Sequence, residues 1–171
     1  MAVVAALLVL HGALWICRQR ERDQPHQAFM GEVFSDLYDM DQTVGKVLAE
    51  DADPTARYDS FLLLRFQLAD FADGFQNAHY LDESIPSGAY WYFLEADTAI
   101  GEDVDTAQLL ADGTLSPAAQ AALEELEADL QDLIGRLTGP DGQNMDQELT
   151  IEEFSQQIQE FCQQWEDQQG R

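Results

Sequence analysis

Apolar residues recur at intervals of three and four through almost the whole chain, and no segment alternates with period two. From residue 24 to residue 49, Phe29, Val33, Leu37, Met40, Val44, Val47 and Leu48 fall on one face of a 3.6-residue helix. A helical stripe cannot serve as a half-buried strand, because its apolar residues would face both ways. The pattern therefore predicts an all-α fold: an N-terminal membrane-anchor helix plus an antiparallel bundle of four to five helices.

The stops and starts agree. Asp53 and Pro54 predict a capped start for a second helix over 54–78, carrying Tyr58, Phe61, Leu62, Arg65, Leu68, Phe71, Ala72 and Phe75. Between Phe61 and Phe66 this helix is apolar nearly all round, so its middle is expected to lie between neighbours. Arg65 interrupts that run. It either pairs with a carboxylate on an adjoining helix or lays its stem along apolar surface. Asn77 to Gly88 reads as a turn region. A third helix follows from Ala89, with Gly101 as its break and Thr106 to Leu110 as a short further piece. Ser116 and Pro117 open the next helix, in which Leu123, Leu126, Leu130, Leu133 and Leu137 keep the spacing, and Gly139-Pro140 closes it. Thr150 with Glu153 forms a capping box for a last helix bearing Phe154, Ile158, Phe161 and Trp165, whose polar end from Gln163 is expected to fray. The expected core includes Leu37, Val44, Phe61, Leu68, Phe93, Leu126, Leu130 and Leu133.

From Ala2 to Cys17 the chain is nearly unbroken apolar sequence, followed by Arg18-Gln19-Arg20-Glu21-Arg22. Sixteen helical residues reach roughly 24 Å against a hydrocarbon core of about 30 Å, so a single-pass anchor requires local thinning or snorkelling arginines. A cleaved signal peptide and a buried N-terminal core helix are the alternatives. Trp15 and Ile16 before Cys17 argue against a lipidation site. The arginines favour a cytoplasmic body by the positive-inside rule, but long domains can translocate despite nearby charge, so orientation stays open. The resulting division is 1–22 anchor and basic flank, 23–138 helical bundle, 139–149 loop, and 150–171 a C-terminal helix packed on the bundle.

Beyond residue 22, five Lys and Arg face 32 Asp and Glu, a formal charge of about −27. Such a surface is repelled by phosphates, which excludes nucleic acid as a partner. The chain is 46% hydrophobic, which separates it from disordered acidic tails. Chemistry-bearing motifs are lacking. His11, His26 and His79 are scattered, Cys17 and Cys162 are far apart, and no HExxH or phosphate loop occurs. Leu149 to Phe154 has the look of an EF-hand exit, but counting back places Gly142 or Met145 where a ligand is needed. No catalytic, cofactor or metal set is expected, and the chain reads as no enzyme. The aromatic run offers Tyr90, Trp91 and Tyr92 as a candidate interaction surface, against core packing with a wet tyrosine edge.

The stretch Tyr38-Asp39-Met40-Asp41-Gln42-Thr43-Val44-Gly45-Lys46-Val47-Leu48-Ala49 follows directly on the apolar segment. Further along come Phe93-Leu94, the Leu115-Ser116-Pro117 helix start and the leucine-spaced helix. Together these resemble the N-terminal region of the spore germination protein YpeB family, over roughly Ala2 to Leu137. The resemblance implies a non-enzymatic partner of a spore-cortex lytic enzyme, anchored in the spore inner membrane with its body outside the cytoplasm. Family members continue into repeated PepSY-type domains, whereas this chain ends soon after its last helix and is far more acidic. Two functions are therefore expected: a membrane-anchored scaffold or localisation factor holding a cell-wall lytic enzyme, or an anchored helical sensor reading a small ligand or another membrane protein. A pocket lined by the 90–93 aromatics with convergent polar groups would favour the sensor.

Overall fold

The computed structural model describes the backbone of residues 2–169 and the side chains of residues 25–167. Among the described residues there are six helices and no strand. They are α1 (Ala2–Leu48), α2 (Pro54–Leu81), α3 (Gly88–Asp103), α4 (Thr106–Asp112), α5 (Pro117–Leu137) and α6 (Ile151–Gln169). Thr138 and Met145 form one isolated bridge that closes the α5–α6 connection. The apolar segment and the first bundle helix are not separate elements, because the α1 backbone is helical from Ala2 to Leu48 and carries Pro25 inside it. The side chains of the expected anchor, Ala2 to Cys17, lie outside those described. Among the described residues no helix is long and apolar enough to cross a membrane.

Contacts fix the directions. His26 with Asp82 and Arg57 with the Ala49 carbonyl bind opposite ends of α1 and α2, which therefore run antiparallel. Arg65 with Asp97, Phe71 with Phe93 and His79 with Ile85 do the same for α2 and its connection to α3. Asp41 with Gln131, and Gly45 beside Glu127, set α5 antiparallel to α1. α6 packs on α3, α5 and α1, and α4 lies on α2.

Every residue expected in the core is buried. α1 turns Met30, Val33, Leu37, Met40, Val44 and Val47 inward, none more than 4% exposed. The expected caps also form. Asp53 accepts from the Thr55 and Ala56 amides, Ser116 from Ala119, and Thr150 and Glu153 exchange bonds across the first turn of α6. α4 ends on Gly113 at φ +74, where an added Cβ would also sit 3.4 Å from Pro54 Cα.

Four expectations need correction. The run 61–66 is not sandwiched: Phe61 and Leu64 are buried, but Leu62, Leu63 and Phe66 are 45%, 48% and 66% exposed. Gly101 does not break α3. A Cβ there would lie 2.8 Å from Arg65 Cζ, so its smallness admits the guanidinium. Residues 77–81 belong to α2, whose end is secured by His79 donating to the Ile85 carbonyl at 2.6 Å. The polar end of α6 is helical through Gln169, and within it Trp165 packs edge-on to Tyr92 at 5.3 Å. The question over Arg65 is answered by its paired bonds to Asp97, at 2.7 and 3.0 Å.

Core and surface leucines should separate cleanly in denaturant titrations. Leu130→Ala is expected to cost about 2–5 kcal/mol, and Leu63→Ala to stay within ~0.5 kcal/mol. A double-mutant cycle over Arg65→Ala and Asp97→Ala should give a coupling of about 1 kcal/mol, kept small by the partial exposure of the arginine. A coupling near zero would make the pair incidental.

Candidate interaction site

Among the described residues, a cleft between α3, α5 and α6 and the outer face of α2 can each meet another molecule. The cleft is built on Tyr92, which α3 directs inward between the leucine stripe of α5 and the aromatic stripe of α6. Its ring packs edge-on against Phe93, Phe161 and Trp165, with centroids 4.8, 4.9 and 5.3 Å away. Its hydroxyl donates to Asp129 Oδ2 at 2.8 Å. Burial and the adjacent carboxylate hold the phenol well above its ordinary range. Partial burial likewise raises Asp129, opposed by the bond from Tyr92 and aided by Glu125 and Asp132.

Above this pair opens a space of about 280 Å³, walled by Tyr92 and Trp165, floored by Ile100 and Leu126, and rimmed by Glu95, Glu125 and Asp129. Aromatic faces beside carboxylates attract cations. Cys162, on α6, has its thiol pushed up to about 12, chiefly by burial and then by Glu166, so it is protonated and unreactive at neutral pH.

The three residues read as a candidate surface do not share a face. Tyr92 is 2% exposed, Tyr90 is half-buried against the core, and Trp91 is 57% exposed with Tyr90 edge-on at 4.9 Å. The sequence pattern does not single out Asp129 as the partner of Tyr92. It stands 37 positions away, and nothing local distinguishes it from the other carboxylates of α5.

The second feature lies on the opposite side of α2 from its core stripe. Leu62, Leu63 and Phe66 recur at helical spacing, with Asp59 one turn before them and Asp70 and Asp73 after them, all exposed. Both arginines of α2 turn elsewhere. Arg57 donates to the Gly113 and Ala49 carbonyls, and Arg65 to Asp97. Across the α1–α2 groove, Asp36 feels Asp70 as well as Glu32 and Asp39. Partial shielding from water and then these like charges raise its pKa.

The 139–149 loop is held by its own carboxylate. Asp141 accepts from the Gln143 and Asn144 amides and the Asn144 side chain, which lowers it to about 2. Among the described residues, no group of three or more His, Cys, Asp or Glu side chains is placed to hold a metal ion. Comparison of the chain with models of known protein families, with curated proteins and with solved structures finds no match.

These carboxylates set a distinctive pH profile. Asp36 and Asp129 have raised values, so ionising them costs stability at neutral pH, and the cost is relieved as pH falls through those values. Asp82, Asp112, Asp141 and Glu153 have lowered values, so their contribution is present above the ordinary carboxylate range and lost below it. The melting temperature is expected to rise as pH falls through the raised values of Asp36 and Asp129, and to drop once the lowered carboxylates protonate below the ordinary carboxylate range. Asp129→Asn should flatten the rise, and a melting temperature that only falls with falling pH would contradict the assignment. Cys162 should resist a thiol reagent in the native protein and react only on unfolding.

Proposed function

We propose that the chain is a membrane-anchored, non-enzymatic scaffold that holds a partner protein through the outer face of α2. The observation that carries this reading is the exposed row Leu62, Leu63 and Phe66. α2 already buries a complete stripe on its other side, so folding gives no reason for three large apolar residues in water. Exposed apolar clusters with polar rims are typical of interaction sites. The apolar run from Ala2 to Cys17 and the arginines after it support the anchor.

The resemblance of Asp41 to Ala49 to the YpeB family supports a cell-wall lytic enzyme as the partner, germination as the setting, and a body outside the cytoplasm. Arg18, Arg20 and Arg22 weigh against that orientation by the positive-inside rule, so topology is the informative test. Exposed Ala118 serves as the reporter position, with Cys17 and Cys162 replaced. Labelling of an Ala118→Cys variant in intact cells by a membrane-impermeant reagent is expected. Labelling only after lysis would return the protein to an inner-face adaptor. Capture from sporulating cells tests the partner: Phe66→Asp is expected to abolish recovery of a lytic enzyme without shifting the melting temperature. Equal recovery by both forms would remove the α2 face from the reading.

A second reading, the anchored sensor, is favoured by the cleft above Tyr92 and Asp129, which combines an aromatic wall with convergent carboxylates. Filling it by Ala99→Trp discriminates the two. A scaffold captures its partner unchanged, whereas a sensor alters capture although the α2 face is intact.

A further inference from the structure

We infer that the partner segment received by the outer face of α2 is an amphipathic helix with Lys or Arg along the edges of its apolar stripe. This inference rests on the scaffold reading and adds the chemistry of what docks. From Asp59 to Asp73 the face covers 14 residue steps, about 21 Å, so a partner helix of roughly four turns matches it end to end. Its centre is apolar, with Phe66 one turn beyond both Leu62 and Leu63, at i+4 and i+3, so the three share one ridge against which helical side chains can interdigitate.

The ends of the face are acidic, at Asp59 on one side and at Asp70 and Asp73 on the other. The α1 side is acidic as well. Asp36 lies close enough to Asp70, Glu32 and Asp39 for all three to disfavour its ionised form. No cation of α2 answers these charges, because Arg57 and Arg65 are committed to Gly113, Ala49 and Asp97 on other sides of the helix. The complementary surface is therefore apolar at the centre and positive at the rim.

Charge also decides among the possible occupants. A second copy of the chain would bring the same aspartates against this rim, and each copy carries a formal charge of −25. An anionic bilayer surface meets the same repulsion. A cationic helix gains from both parts of the face.

The full-length chain, inserted in neutral-lipid nanodiscs, tests this by fluorescence anisotropy with labelled synthetic helices of about 16 residues. One carries a leucine stripe edged by lysines, one has the same composition scrambled, and one has the stripe edged by glutamines. The lysine-edged helix is expected to bind at least about tenfold tighter than the scrambled one. Leu63→Ser with Phe66→Ser should abolish that difference, while Trp91→Ser preserves it. Asp70→Asn with Asp73→Asn should weaken binding severalfold and reduce its salt dependence.

Equal binding of the lysine-edged and scrambled peptides, insensitive to Leu63 and Phe66, would show diffuse attraction and overturn the inference. If the glutamine-edged helix binds as tightly as the lysine-edged one and both depend on Phe66, the scaffold face survives but its cationic partner does not. A dimer seen by light scattering that dissociates with Phe66→Ser would assign the face to a second copy and likewise overturn it.

Discussion

The stripe of α1 from Met30 to Val47 is shielded from water almost completely, and a single helix cannot shield itself. Other helices must close on it, and the short 49–53 connection together with the residue pairings settles which ones do. α2 returns along one flank and α5 runs along another, both antiparallel to α1. α6 reaches the same helix near Phe29, whose ring meets Phe75 and Phe154 at 5.7 and 6.0 Å. α3 then seals α2 against α5 and α6. The geometry leaves α2 with one face spent on α1 and α3 and the opposite face outward, which is why its remaining apolar residues are on the surface.

Scarce positive charge is spent on joints between helices. Arg57 ties the α1–α2 turn to the end of α4, Arg65 clamps α2 to α3, and Arg136 spans from Asp132 on α5 to Gln164 on α6. Each of these guanidiniums serves several acceptors at once, as its planar fork allows. The carboxylates far outnumber such partners. They cap helices, turn loops at Asp82, Asp112 and Asp141, or face water. A fold assembled this way presents a mainly anionic exterior on which an apolar row stands out.

Where the sequence pattern reflects a local cause, it was legible. The stripes of α1 and α5 follow from the helical period. The starts at Asp53, Ser116 and Thr150 follow from the need of first-turn amides for acceptors. Where tertiary arrangement decides, the local pattern misleads. Apolar residues all around α2 from Phe61 to Phe66 suggest burial on every side, yet the number of available neighbours covers only one. Gly101 reads as a helix break, but its role is to leave room for a guanidinium arriving from 36 residues earlier. Trp165 in the polar end of α6 meets the ring of Tyr92, and Asp129 receives the Tyr92 hydroxyl. Both depend on which helices become neighbours, information carried by no short segment.

Thiol accessibility measures directly whether α2 presents a bare apolar face outward in the free protein. Single cysteines at positions 61 to 64, 66 and 68, in a chain without Cys17 and Cys162, read each side of the helix in turn. Prompt labelling is expected at 62, 63 and 66, with labelling at 61, 64 and 68 only when the protein unfolds. Protection at 63 and 66 in the folded monomer would contradict it, because that side of α2 would then be core.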